Sequence, residues 1–232
     1  NVRPFYYYWS FFTQSGIWTI PAFISLLYPY LKTRVQNLKA YQFSLLWTLL
    51  AVVLLSLIPE KKSRYLMPVL IPLSINISFY IDFLIREFKN LKDKRETIPV
   101  YFNFGLIGLI GISFIVVAWW FLKDNVNGYY FYLITSGLLL FGIGISIFRF
   151  LKLKDMTKVF YLTFGLFATL LLTALPLKKA FVSKTYNPLT NLKDSTDLKL
   201  YQFNYIAPEM MWQYGDKIPP IKREDGSITF PS

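Results

Sequence analysis

Three cations stand within four residues in the segment Pro59-Glu60-Lys61-Lys62-Ser63-Arg64-Tyr65. Lysine offers a phosphate a point charge, and arginine offers a planar fork of donors. The segment separates two long apolar blocks, so its charges would meet an anion where water borders an apolar layer. The phosphate or diphosphate of a lipid has that chemistry, which makes Lys61, Lys62 and Arg64 the candidate phosphate ligands. Anchorage is the competing role, because long cationic side chains can lay their stems on apolar surface and hold a helix end at an interface. Ser63 stands where a helix N-cap belongs, and the N-terminus of the following helix would add a favourable dipole at the same place. The second candidate is the opening run Arg3-Pro4-Phe5-Tyr6-Tyr7-Tyr8-Trp9. Tyrosine and tryptophan commonly belt a membrane interface. Their rings and hydroxyls also suit a sugar ring or a prenyl chain, with Tyr6, Tyr7 and Tyr65 as the candidate contacts.

Other chemistries are excluded by composition. The chain has no cysteine and no histidine. Thiol nucleophiles, Cys/His zinc sites, histidine-ligated haem and Ser-His-Asp triads are therefore absent. No metal-ligand cluster and no cofactor motif is evident. A formal charge of +12 could indicate a nucleic-acid partner, but most of the cations lie in short loops between apolar blocks, where bilayer topology accounts for them.

The elements that must position these residues are apolar helices. Of 232 residues, 54% are hydrophobic and 16% charged, with a mean hydropathy of +0.39; a soluble domain carries about 25% charged residues. The apolar blocks run to roughly twenty residues, the helical length that crosses a ~30 Å hydrocarbon layer. They predict spans near Gly16–Leu31, Ala40–Ile58, Tyr65–Ile85, Val100–Leu122, Tyr129–Phe150 and Val159–Pro176. Pro21 and Pro29 predict a kink in the first span or an earlier start near Trp9, and Pro68 and Pro72 fall in the first turns of the third. Gly105, Gly108 and Gly111 in the fourth span, with Gly137, Gly142 and Gly144 in the fifth, predict close helix packing. The fold class expected is an all-α polytopic membrane protein of about six transmembrane helices over residues 1–176. A short extracytoplasmic α/β tail over 177–232 completes it.

Twelve cations share alternate loops: Lys32, Arg34 and Lys39; Arg86, Lys89, Lys92, Lys94 and Arg95; Arg149, Lys152, Lys154 and Lys158. This side is expected to be cytoplasmic, which puts the opening aromatic run, the basic loop at 59–65 and the tail outside. In the tail, Leu198–Tyr205 reads as a strand, Pro208–Tyr214 as a short helix stopped by Gly215, and Ile218–Ile221 as another extended piece. The chain opens on Asn1 with no leader pattern, so it reads as a piece of a longer protein.

The stretch Ile58-Pro59-Glu60-Lys61-Lys62-Ser63-Arg64-Tyr65-Leu66-Met67-Pro68-Val69-Leu70-Ile71-Pro72 resembles the K-x-x-R-Y-L-x-P-x-x-P segment of bacterial membrane glycosyltransferases. These are the GT-C group that includes the lipid A aminoarabinose transferases and protein O-mannosyltransferases. Arg3-Pro4-Phe5-Tyr6-Tyr7-Tyr8 is similar to their upstream P-[WF]-[YF]-Y segment, although Ile17-Trp18 replaces the Pro-Trp pair that usually follows. Tyr205–Gly215 would begin their small outer α/β domain. The resemblance implies transfer of a sugar from a polyprenyl-phosphate donor to a lipid, glycan or protein acceptor at the outer face of the membrane. A bacterial inner membrane is the location it implies. In that family the catalytic carboxylate belongs to the first outer loop, which nothing here matches. The catalytic residue is thus unknown and outside this chain, and the piece is expected to bind the donor without catalysing transfer. Asp82, inside an apolar block, reads as a snorkelling or capping residue. A non-catalytic carrier of lipid-linked sugars is the rival reading, with Asn76 and Ser78 as the mid-span polar residues it would use.

Overall fold

A computed structural model of the chain describes residues 4–122, 128–177, 200–202, 208–224 and 227–229. They fall into two compact units, one within Asn1–Lys178 and one within Lys179–Ser232.

The first unit is helical. Five segments are long and apolar enough to cross a membrane: Leu38–Leu57, Ser63–Glu87, Lys94–Leu122, Tyr130–Lys152 and Met156–Leu177. Within them the α-helices are α3 (Leu38–Leu57), α4 (Leu70–Glu87), α5 (Lys94–Leu122), α6 (Tyr130–Lys152) and α7 (Met156–Thr169). Six spans were expected, and the first is not a single helix. A 3₁₀ stretch, Phe11–Trp18, is kinked at Gly16 (φ 62°), and only two short helices follow, α1 (Thr19–Ser25) and α2 (Tyr28–Leu31). Pro29 is the physical reason for the second break, since its ring excludes a helical hydrogen bond to the carbonyl of Ser25. That buried carbonyl accepts from the Tyr41 hydroxyl of α3 instead, at 2.8 Å. A broken helix is tolerated in apolar surroundings when a neighbour satisfies the freed group in this way.

Helix ends follow their local sequence. Asn37 caps α3 by accepting the Ala40 N–H, and Asp155 caps α7 by accepting the Lys158 N–H. Pro68 and Pro72 hold the chain in a 3₁₀ stretch over Ser63–Val69 before α4 begins at Leu70. The α-helix therefore starts one to two turns beyond the basic loop, and its dipole is not focused there as expected.

The buried stripe of α3 comprises Tyr41, Ser44, Leu45, Thr48, Val52 and Ser56, whereas Leu46, Leu50, Leu54 and Leu57 face outward. Small polar residues inside and leucines outside invert the pattern of a water-soluble helix. Asn76 of α4 closes the polar cluster. Its Oδ1 accepts from Ser44 Oγ at 2.7 Å and its Nδ2 donates to Thr48 Oγ1 at 2.9 Å. Asn76 is thus a helix–helix tie, and Ser78 bonds back to the Ile75 carbonyl on the exposed side.

Glycines bring α5 against α6. A Cβ at Gly144 would lie 2.6 Å from the Gly108 carbonyl oxygen, and one at Gly111 would lie 2.8 Å from that of Leu140. Gly137 meets the Ile115 side chain as closely, whereas Gly142 faces open space. The cation-rich loops converge at one end of this unit. Arg34 pairs with Glu96 at 2.6 Å, Arg86 donates to the Arg34 carbonyl, and Lys154 donates to that of Leu91. Asp82 pairs with Arg86 one turn along α4.

In the second unit the helix α8 spans Pro208–Tyr214, and Gly215 at φ 74° stops it with its N–H on the Met211 carbonyl. Gln202 bridges to Pro220, and a two-stranded antiparallel hairpin, β1 (Lys222–Glu224) and β2 (Ser227–Thr229), follows. Of the expected strand Leu198–Tyr205, only residues 200–202 are described, and the rest lies outside the described residues. Ile218–Ile221 contributes only the single bridge at Pro220.

Candidate functional site: the basic loop and the tyrosines that hold it

The end opposite the converging loops is built around the turn between α3 and α4. α3 stops because Ile58 is extended (φ −74°, ψ 127°) and Pro59 cannot continue the helix. The turn leaves the last carbonyls of α3 without intrahelical donors. Lys61 answers one of them. Its side chain folds inward, only 4% of the residue is exposed, and Nζ donates to the Ile58 carbonyl at 2.7 Å. A charged donor on a helix C-terminal carbonyl is favourable both as a hydrogen bond and through the dipole.

Lys62 points outward and forms a 2.5 Å ion pair with Glu60. The hydrogen bond and charge of Lys62 hold the Glu60 carboxyl below its ordinary range, and Glu60 in turn raises the Lys62 ammonium. Arg64 is exposed. Among the described residues its guanidinium makes no hydrogen bond or ion pair; the Tyr65 ring lies 6.0 Å away from it, and its charge also acts on Glu60. The three expected phosphate ligands therefore differ: one caps a helix, one is paired with an acid, and one is open to a ligand.

The aromatic opening run folds onto this loop. Pro4 starts a 3₁₀ turn, Phe5–Tyr8, that directs successive rings to different sides. Tyr8, which sequence reasoning did not single out, is fully buried. Its hydroxyl donates to the Lys62 carbonyl at 3.1 Å and accepts the Lys62 N–H at 2.9 Å. The Tyr7 and Ser63 hydroxyls share a 3.0 Å hydrogen bond, so Ser63 serves as a link between segments rather than the expected N-cap. Tyr65 is half-buried against the cluster formed by Tyr8, Phe11, Ala22, Val52 and Leu66. Tyr6 is exposed and touches Phe5 edge-on; it faces away from these bonds. The two candidate segments, more than fifty residues apart in the chain, are thus one structure held by Tyr7 and Tyr8. No signal in the run distinguishes Tyr8 from its neighbours.

Chemically, the arrangement presents an unpaired guanidinium, a paired ammonium and aromatic rings beside an apolar belt. Such groups can hydrogen-bond an anion while apolar surface lies beside it. Glu60 is a poor general base, because a base needs a pKa raised towards neutrality and this carboxyl is lowered. Among the described residues no group of three acidic residues could hold a metal ion. Comparison with known protein families, with curated proteins and with solved structures gives no match.

Proposed function

We propose that the chain is an integral membrane protein whose basic loop binds the phosphate of a polyprenyl-phosphate-linked sugar. It would do so as part of a glycosyltransferase that moves the sugar to an acceptor at the outer face of the membrane. One observation carries the reading: Tyr7 and Tyr8 fasten the aromatic run to Lys62 and Ser63, which leaves the Arg64 guanidinium exposed beside aromatic rings. The inverted polarity of α3 supports the membrane, and convergence of the cation-rich loops at the other end supports a cytoplasmic location for that end. By this reading the tail belongs to an outer α/β domain, and the membrane is bacterial. The engaged state of Glu60 favours a second reading, a carrier of lipid-linked sugars, which needs the phosphate site but no base.

Sugar transfer from a polyprenyl-phosphate donor by the complete gene product tests both readings. In the Arg64→Lys variant the charge remains but the planar fork is lost. A transition-state contact of about 2–4 kcal/mol predicts a fall of roughly 30- to 1000-fold in turnover with an unchanged melting temperature. Normal turnover in the Lys62→Gln/Arg64→Gln double variant would overturn the phosphate site. Donor binding without transfer by the wild type would select the carrier.

A further inference from the structure

At the cation-rich end, a cleft of about 490 Å³ lies between α1, α4 and the start of α5. Its apolar lining includes Ile24, Leu27 and Pro99, and its polar lining includes Tyr80, Arg95 and Glu96. Leu27 is exposed, so the cleft opens sideways onto the surface that the apolar helices share.

Two observations within it point to a ligand. Tyr80 is only 2% exposed, lines the cleft, and its hydroxyl makes no hydrogen bond to any described residue. The hydroxyl oxygen is not sealed off, the one sealed and unpartnered side-chain polar atom among the described residues being Asn103 Nδ2, so this donor is open to something that enters the cleft. The charges at the rim are also unequal in their commitments. Glu96 is matched by Arg34 at 2.6 Å, and the Asp93 carboxylate accepts the Arg95 N–H while its main-chain carbonyl accepts those of Glu96 and Thr97 at the start of α5. The Arg95 guanidinium has no acidic partner within ion-pair distance among the described residues. It stands at the positive end of a 29-residue helix.

We infer that the cleft holds one anionic glycerophospholipid. Its phosphodiester sits on the Arg95 guanidinium, and one acyl chain lies along Ile24, Leu27 and Pro99. The Tyr80 hydroxyl donates to an ester carbonyl. This inference rests on the membrane reading, but not on sugar transfer or on the basic loop at the other end. A zwitterionic headgroup offers the same phosphodiester but brings its own cation beside Arg95, and free phosphate leaves the apolar lining empty.

The test is native mass spectrometry of the purified complete protein, with melting temperature alongside. The protein is mixed with dioleoylphosphatidylglycerol, with dioleoylphosphatidylcholine, or with inorganic phosphate. One phosphatidylglycerol should be retained about tenfold more than phosphatidylcholine, and phosphate alone should leave the melting temperature unchanged. Tyr80→Phe should lower phosphatidylglycerol retention about three- to tenfold, and Arg95→Gln should abolish the headgroup preference. Leu27→Trp should block the cleft. Circular dichroism on each variant confirms that the helices are intact. The Lys62→Gln/Arg64→Gln variant should retain the lipid as the wild type does, which separates this site from the basic loop. Equal retention of both lipids by the wild type would overturn the inference. So would wild-type retention by folded Tyr80→Phe and Arg95→Gln proteins, or a thermal shift from phosphate alone equal to that from the lipid.

Discussion

Replacing Tyr8 by phenylalanine isolates the bonds that join the aromatic run to the basic loop. The ring is fully buried and phenylalanine preserves its packing, so the change removes only the hydroxyl. That hydroxyl makes two hydrogen bonds, as donor to the Lys62 carbonyl at 3.1 Å and as acceptor from the Lys62 N–H at 2.9 Å. Each is worth about 1 kcal/mol net, and more where the abandoned backbone group stays dry. Both Lys62 groups are only partly buried, so water can compensate in part and the loss is about 2 kcal/mol. In a body of 150–250 residues, about 2–4 °C accompanies each kcal/mol, which predicts a fall of roughly 4–8 °C. Tyr7→Phe breaks one exposed bond to Ser63 and should shift the midpoint by no more than about 2 °C. Thermal unfolding in detergent, followed by the far-ultraviolet helical signal, measures both. With the loop released, binding of a polyprenyl phosphate should weaken in Tyr8→Phe while the α5–α6 contact is untouched. A Tyr8→Phe midpoint within 1 °C of wild type would refute the argument, because the two bonds would then not hold the loop.

Gly144→Ala drives a methyl to 2.6 Å from the Gly108 oxygen and should cost about 1–3 kcal/mol, a lower midpoint by thermal unfolding. Gly142→Ala, facing open space, should be neutral or slightly stabilising, and equal effects at the two sites would be inconsistent with the packing. Glu60 is held below its ordinary range, so its contribution is present above the unfolded value and lost as pH falls through the folded one. Lys62 is raised, and its contribution is lost only as pH rises through its folded value. The pair should therefore persist from about pH 5 to 9, and Glu60→Gln, which frees Lys62, should bind a lipid phosphate about two- to threefold more tightly across that window. The difference should close as the pH falls through the lowered Glu60 value, and a difference that does not change with pH at any acidity would contradict the pairing.

Five helices were legible in the sequence because their signal is coarse: twenty apolar residues identify a helix whichever face turns inward. The expected Ala40–Ile58 and the observed Leu38–Leu57 differ only where Asn37 caps and Pro59 terminates. In the first expected span Pro21 and Pro29 suggest a kink or an earlier start, whereas the chain breaks twice, at Gly16 and before Pro29, and is rescued by Tyr41, a residue in another helix. Such a rescue has no local signature. The hairpin of the second unit did leave one, the Asp225-Gly226 pair, a dipeptide favoured in two-residue hairpin loops. In the site, the association of the two segments was anticipated only as a shared side of the membrane. Which tyrosine would be buried depends on how a single 3₁₀ turn is rotated against its neighbours, and residue type carries no information about it.

The same limit applied to the cations, and resolving it sharpens the functional argument. Three positive charges at the end where the orientation rule disfavours them look, as a sequence, like a single cluster that needs one explanation. The structure divides them. Lys61 has a local reason to exist in the Ile58 carbonyl, and Lys62 has one in Glu60. Arg64 is the one of the three without a hydrogen-bonding or acidic partner among the described residues, its ring contact with Tyr65 being a loose 6.0 Å. A buried ammonium on a helix terminus is a structural device, which accounts for Lys61. An open guanidinium fits both a snorkelling anchor, whose head stays in water, and an anion supplied from outside the chain, and the Arg64→Lys variant separates the two. The weight of the phosphate proposal thus rests on one residue, and a variant of Arg64 is a more exacting test than the loss of all three charges, which would unfold the turn as well as empty the site.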